Sequence, residues 1–158
     1  MAALLLEHQE DGNASGLEAS LMKYTKSKND YLLAALLLEH GADVHVVDNR
    51  GVTALFYALT NEETAMINLL IKYGADVNCA DKKGFTPLMI ASAVGLREQV
   101  EILLENGADV NIKDNENETA LTGALYNGHT EIAAKLLKYG PVADKLVLNQ
   151  GNYRVAKN

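Results

Sequence analysis

The chain repeats itself at a fixed interval. Four glycines, each preceded by a leucine-rich stretch, lie 33 residues apart: Gly41, Gly74, Gly107 and Gly140. Four hydroxyl side chains keep the same interval: Ser20, Thr53, Thr86 and Thr119. Two independent sets of residues with one period indicate a tandem array of one supersecondary unit, in which neighbouring units bury each other's apolar faces.

Each unit reads as a pair of short helices. The hydroxyl residues fit helix N-caps, since a threonine side chain accepts a hydrogen bond from a free amide of the first turn. Pro87 directly after Thr86 suits the first helical turn, where an amide would have no partner. We therefore expect a first helix such as 54–59. The second helices are expected to end at left-handed glycines: Gly74, Gly107 and Gly140.

The turns of the repeat carry their own signals. Gly95 and Gly128 lie between the two helices of a pair, where a left-handed residue is useful, and Glu62 takes this place one repeat earlier. A left-handed glutamate there costs on the order of 1 kcal/mol. One carboxylate also recurs in the polar segments between repeats, as Asp48, Asp81 and Asp114. We expect it to form hydrogen bonds within a turn.

The segments GVTALFYAL (51–59), GFTPLMIAS (84–92) and NETALTGAL (117–125), together with the GADV segments, resemble the ankyrin repeat. The resemblance runs from about Ser20 to Gly140. The histidine of the family's motif is absent, with Phe56, Met89 and Thr122 in its place. The first repeat is degenerate, because Ser20 stands at the threonine position and Thr25 at an alanine position.

The resemblance implies an all-α fold: an ankyrin-repeat solenoid of stacked helix-turn-helix units with β-hairpin-like finger loops. We expect about four full repeats, at 17–47, 48–80, 81–113 and 114–140, within one array over 17–140. Residues 1–16 are interpreted as a partial repeat or cap that keeps only the second helix, at 2–8, because AALLLEH at 2–8 copies AALLLEH at 34–40. Residues 141–158 are expected to form a C-terminal cap, with a short helix at 146–148, and a tail.

Composition restricts the class of partner. A net charge of −7 and a pI near 5.0 argue against nucleic acid or an anionic membrane as the partner. Cys79 is the single cysteine, which excludes an intrachain disulfide and fits a reducing compartment. No stretch approaches the roughly 18 apolar residues of a membrane span. We expect a monomeric intracellular protein, in the cytoplasm or the nucleus.

The sequence contains no catalytic or metal-binding motif that we recognise. Phosphate loops of the G-x-x-x-x-G-K-[ST] type and G-x-S-x-G elbows are both missing. The four histidines occupy different repeat positions and are interpreted as structural. We therefore expect no enzymatic activity, no cofactor and no metal.

The resemblance places partner binding on the finger tips and on the exposed side of the first helices. Carried over position by position, this predicts a binding surface made of Arg50, Val52, Tyr73, Lys82, Lys83, Phe85, Val94, Glu116, Glu118 and Tyr126. Aromatic residues and arginine often dominate interface energy. We expect a non-catalytic scaffold for another protein, with an acidic partner segment near Lys82 and Lys83 and an apolar group near Phe85.

Three other interpretations stay open. The chain resembles the small ankyrin-type inhibitors of cyclin-dependent kinases in length and repeat number, but those proteins shorten one first helix and this sequence does not. The start inside a repeat favours a targeting or regulatory module cut from a larger enzyme or effector. Asn78 and Asn111 stand in L-x5-D-V-N contexts that resemble sites of the asparagine hydroxylase acting on ankyrin repeats.

Overall fold

The computed structural model of the protein describes residues 15–27 and 30–140. This part of the chain contains eight helices: α1 (Ser15–Lys26), α2 (Tyr31–Glu39), α3 (Ala54–Thr60), α4 (Thr64–Lys72), α5 (Pro87–Val94), α6 (Arg97–Glu105), α7 (Ala120–Tyr126) and α8 (Thr130–Tyr139). The predicted helices at 2–8 and 146–148 lie outside the described residues. The all-helical prediction is confirmed, and within 15–27 and 30–140 every helix is too short or too polar to cross a bilayer.

The described residues form two compact units, one ending at Lys82 and the other beginning at Lys83. In the first unit, α1 packs against α2 and α3, and α4 packs against α3 and α2. Its core consists of side chains with at most 1% exposure, among them Leu21, Leu55, Leu59, Met66, Ile67 and Leu70. Residues 66, 67 and 70 lie on one face of α4, because positions three and four apart share a helix face.

In the second unit, α5 packs against α6 and α7, and α7 packs against α8. The buried residues Leu88, Val100, Leu103 and Leu136 fill the space between these helices. On the surface, Lys135 of α8 pairs with Glu101 of α6 at 2.6 Å, and Arg97 pairs with Glu131. Exposed pairs of this kind contribute little to stability, so the buried apolar contacts hold the unit together.

Thr53, Thr86 and Thr119 occupy the predicted N-cap positions of α3, α5 and α7, and the predicted side-chain bond forms at Thr86 and Thr119. The hydroxyl of Thr86 accepts a hydrogen bond from the amide of Met89, and Thr119 accepts one from Thr122. In both cases the fourth residue bonds back to the cap amide, which gives a reciprocal capping box. Thr53 has no cap bond. The residue three positions after Thr53 is Phe56, whose side chain has no hydrogen-bond acceptor. The hydroxyl of Thr53 lies 3.6 Å from Sγ of Cys79 instead.

The expectation that Ser20 occupies the cap position of the first repeat was wrong. Helix α1 begins at Ser15, and the hydroxyl of Ser20 donates to the carbonyl of Gly16 at 2.8 Å. Leu17, Glu18 and Ala19 are compatible with helix, and Glu18 in the first turn interacts favourably with the helix dipole. Helix α1 therefore begins earlier in its repeat than the first helices of the other repeats do, and Ser20 lies inside it.

The turn between paired helices is left-handed as predicted. Gly95 has φ +92 and Gly128 has φ +77, and Glu62 adopts φ +60 at the equivalent position. The prediction for the ends of the second helices holds at Gly74 (φ +88) and Gly107 (φ +86). It fails at Gly140, which has φ −87 and ψ 163. The following residue is Pro141, and a proline drives the residue before it into the extended region.

The loops between repeats are hairpin-like fingers. In the first unit an antiparallel bridge joins Val47 and Thr53, and the amide of Asp48 donates to the carbonyl of Val52 at 3.0 Å. In the second unit the amide of Asp114 donates to the carbonyl of Glu118 at the same distance. The backbones of successive fingers also touch, since the amide of Asn115 donates to the carbonyl of Lys83.

Candidate partner-binding site

Turn hydrogen bonds were predicted for the recurring finger aspartates Asp48, Asp81 and Asp114, and the structure shows them at Asp48 and Asp114. Oδ1 of Asp48 accepts hydrogen bonds from the amides of Arg50 and Val52 at 2.8 and 3.0 Å. Oδ1 of Asp114 accepts from the amides of Glu116 and Glu118 at 2.8 and 2.9 Å. Each carboxylate therefore fixes the finger that carries the predicted binding residues.

The first unit holds one predicted binding residue in an intramolecular network. The hydroxyl of Tyr57 donates to Oδ2 of Asp48 at 2.6 Å, and the guanidinium of Arg50 donates to that hydroxyl and to Oδ2 of Asp48. The ammonium of Lys26 lies 4.5 Å from the centre of the Tyr57 ring. Desolvation alone would raise the pKa of Asp48, but the hydrogen bonds from Tyr57, Val52 and Arg50 hold that pKa well below its usual range.

The other predicted binding residues of the first unit differ in exposure. Val52 and Tyr73 are half-buried, whereas Lys82 is exposed on the finger that follows Arg50. The amide of Lys82 donates to the carbonyl of Arg50 at 3.0 Å. The structure thus places Arg50 and Lys82 on adjacent fingers.

The second unit contains an open groove of about 790 Å³ between two fingers and two helices. Helix α5 contributes Met89, Ile90 and Ala93 to it, and α7 contributes Thr122, Gly123 and Tyr126. The fingers and the adjoining residues complete the lining with Phe85, Asp114, Glu116, Glu118 and Thr119, and Asn127 lies at the end of α7. The groove therefore has an apolar floor and a border of carboxylates.

The groove collects four of the predicted binding residues: Phe85, Glu116, Glu118 and Tyr126. Of the two aromatic residues, Tyr126 is more exposed to solvent than Phe85, with 65% exposure. Two further predicted residues of this unit, Lys83 and Val94, do not line the groove. Val94 is 58% exposed at the end of α5.

Sequence reasoning missed several residues of the floor, notably Met89, Ile90, Thr122 and Gly123. Met89 is 5% exposed, so an apolar side chain at this helix position fits a buried core as well as a groove floor. A usable signal was the helical spacing of Met89 and Ala93, four positions apart, which places both residues on one face of α5.

One repeat position carries a different residue in each of the last three repeats. Tyr57, Ile90 and Gly123 are 33 residues apart. In the first unit the ring of Tyr57 reaches Asp48 of its finger. In the second unit Gly123 has no side chain, and a Cβ atom there would lie only 3.4 Å from Cβ of Ala93. Gly123, without a side chain, lines the floor beside Ile90 and Ala93.

The remaining polar residues have local roles. His129 donates from Nε2 to the carbonyl of Ala93 at 3.1 Å, and Nδ1 of His40 donates to the carbonyl of Leu36 at 2.8 Å. Burial raises the pKa of the Cys79 thiol. Within the described ranges, no group of three or more histidine, cysteine and acidic side chains could hold a metal ion.

The two asparagines with hydroxylation contexts lie in the turns after the second helices. The side-chain amide of Asn111 donates to Oδ1 of Asp109 at 3.0 Å, and the backbone amide of Asn78 donates to Oδ1 of Asp76 at 2.8 Å. These hydrogen bonds hold both asparagines in their turns. Their hydroxylation stays a prediction.

Comparison with known families matches the chain twice. A family model described as ankyrin repeats (3 copies) matches residues 21–114, and one described as ankyrin repeats (many copies) matches residues 97–137. No curated protein matches the chain at a significant level. The first match covers more than half of the sequence, and the two matches together span the capped helix pairs, the left-handed turns and the fingers described above. The chain belongs to the ankyrin-repeat family.

Proposed function

We propose that the second unit binds a segment of another protein in the groove between α5 and α7, without catalysing a reaction. Ankyrin repeats are generally protein–protein interaction modules, and the family is typically non-catalytic. The finger and helix residues predicted from the sequence are the natural candidates for such contacts. The proposal assigns the main role to those that line the groove.

The groove itself is the observation that carries this proposal. Its volume of about 790 Å³ falls within the range of specific binding pockets, and its floor is apolar and aromatic. Phe85 lines the groove beside a finger, and Tyr126 lines it at the end of α7. Concave apolar surface with aromatic side chains and a polar border is the usual composition of an interface centre.

The first unit contributes less under this proposal. The guanidinium of Arg50 already contacts Asp48 and Tyr57, so a partner would have to compete with these hydrogen bonds. Lys82 and Lys83 do not line the groove. An acidic partner segment near these two lysines stays a prediction and is separate from the groove.

A display experiment tests the proposal with the full chain as bait. A library of random 16-residue peptides is selected on the wild-type protein, and the recovered peptides are assayed against two groove variants. Gly123→Leu adds a side chain to the floor, and Tyr126→Ala removes an exposed ring. Tyr139→Ala is the matched control, since Tyr139 is 57% exposed on α8 and lies outside the groove.

We expect most recovered peptides to lose binding to Gly123→Leu and Tyr126→Ala and to keep binding to Tyr139→Ala. Melting temperatures within a few degrees of the wild type exclude unfolding as the cause. Peptides that bind all three variants as well as the wild type would refute the groove as the binding site.

A further inference from the structure

We infer that the groove of the second unit selects a partner segment in which an apolar anchor is flanked by lysine or arginine. This inference rests on the proposed function and adds the chemistry of the partner. It concerns one occupant, a basic peptide segment of another protein.

The groove is lined by acidic side chains. Three carboxylates line the groove, those of Asp114, Glu116 and Glu118, and no lysine or arginine of the described residues lines it. The sequence from 83 to 140 nevertheless contains five basic side chains. None of them lines the groove: Arg97 and Lys135 pair with Glu131 and Glu101 on the outer helices, whereas Lys83 and Lys113 adjoin the two fingers. The segregation makes this groove more acidic than the unit as a whole.

Two of the three carboxylates are available to a partner. The carboxylate of Asp114 is buried and accepts the two amides of its own finger. Glu116 and Glu118 are exposed, and neither side chain takes part in an ion pair with a described residue. Their backbone amides are fixed by Asp114, so both are held at the border of the groove.

The position of these carboxylates beside an apolar floor defines the partner's pattern. An apolar side chain lying between Phe85, Ile90 and Tyr126 would bring its sequence neighbours to the finger at 114–118. An acidic neighbour would meet two like charges, whereas an ammonium or guanidinium group would form charge-assisted hydrogen bonds. Charges at such a border mainly control the association rate and the salt dependence of binding.

The test uses the peptides recovered from the random library with the full chain. Glu116→Gln/Glu118→Gln removes both border charges and leaves the backbone bonds of the finger in place. Glu98→Gln/Glu105→Gln is the matched control, because both residues are exposed on α6, outside the groove, and the change in net charge is the same. Affinity is measured at low and at high salt for each peptide that Gly123→Leu weakens.

We expect these groove-dependent peptides to be enriched in lysine and arginine next to a leucine, isoleucine or aromatic residue. The Glu116→Gln/Glu118→Gln variant should bind them about five-fold more weakly at low salt, the value for two exposed ion pairs. The difference should shrink at high salt, where exposed charges are screened. The Glu98→Gln/Glu105→Gln control should bind them like the wild type.

Two results would overturn the inference. Groove-dependent peptides without an excess of basic residues, or with unchanged affinity for Glu116→Gln/Glu118→Gln, would remove the charge selectivity and leave the proposed function standing. Peptides whose binding is insensitive to Gly123→Leu and Tyr126→Ala would remove both.

Discussion

The imidazole of His129 donates from Nε2 to the carbonyl of Ala93 at 3.1 Å, and this bond joins the turn before α8 to the last turn of α5 in the second unit. The ring lies directly over Gly95, where a Cβ atom would come within 2.5 Å of Cε1 of His129. Glycine is thus favoured at position 95 for two reasons: the imidazole ring leaves no room for a Cβ atom, and the backbone is left-handed.

A double-mutant cycle measures this contact. Gly95→Ala should cost more free energy of unfolding in the wild type than in a His129→Ala background, where the ring no longer blocks the methyl group. We expect a coupling of about 1 kcal/mol, within the range for residues in contact. Gly107→Ala serves as the control, because Gly107 is left-handed with open space around it. Its cost should be the same in both backgrounds, and equal costs for Gly95→Ala would contradict the contact.

Glu62→Gly should raise the free energy of unfolding by about 1 kcal/mol, since Glu62 has φ +60 and glycine adopts this conformation without a steric penalty. Chemical denaturation gives the value. Glu62→Ala removes the same carboxylate and keeps a Cβ atom, so it should give no comparable gain. If the alanine variant gained as much as the glycine variant, charge rather than backbone strain would be responsible.

Ser92→Ala should also stabilise the protein. The hydroxyl of Ser92 is fully buried in α5 and has no hydrogen-bond partner among the described residues. An unsatisfied buried hydroxyl costs about 1–3 kcal/mol, and alanine is the better helix former. We expect thermal unfolding to show a gain of about 1 kcal/mol. Ser20→Ala, which removes a bonded helix hydroxyl, should gain less. A loss of stability in Ser92→Ala would disprove the interpretation.

The hydrogen bond between Asp48 and Tyr57 should make the free energy of unfolding depend on pH. Because the pKa of Asp48 is lowered in the folded state, its contribution to stability is present above the unfolded value of about 3.9 and is lost as the pH falls through the folded value. The stability difference between wild type and Asp48→Asn should therefore be largest near neutral pH and shrink in acid.

Carbon-detected NMR titration of the Asp48 carboxylate tests the cause. Tyr57→Phe should move its midpoint upward, since the hydroxyl that donates to Oδ2 is removed. Tyr73→Phe, in the same unit, should leave it unchanged. An unaltered midpoint in Tyr57→Phe would show that the tyrosine does not set this pKa.

Much of the fold follows from the sequence because the repeat fixes local geometry. Thr86 and Thr119 cap their helices, and Gly95 and Glu62 are left-handed, as their repeat positions predict. Asp48 and Asp114 accept hydrogen bonds from the backbone amides of their fingers, also as predicted. The errors arise where a neighbour changes the local balance. Gly140 is extended because Pro141 follows it in the sequence.

The candidate site was only partly predictable. The finger position of Glu116 and Glu118 and the end of α7 at Tyr126 follow from the repeat. The floor does not, because periodicity cannot tell an apolar helix residue in the core from one in a groove. Ile90 and Gly123 both line the groove, and their meeting there depends on how α5 and α7 pack.

The most direct test of partner binding in the groove is a pair of amide proton–nitrogen correlation spectra of the full chain, recorded without and with saturating amounts of the tightest peptide selected on it. The account predicts that the largest shift changes fall on Phe85, Ile90, Gly123 and Tyr126. Changes confined to the outer helices α6 and α8, or to the first unit, would contradict it.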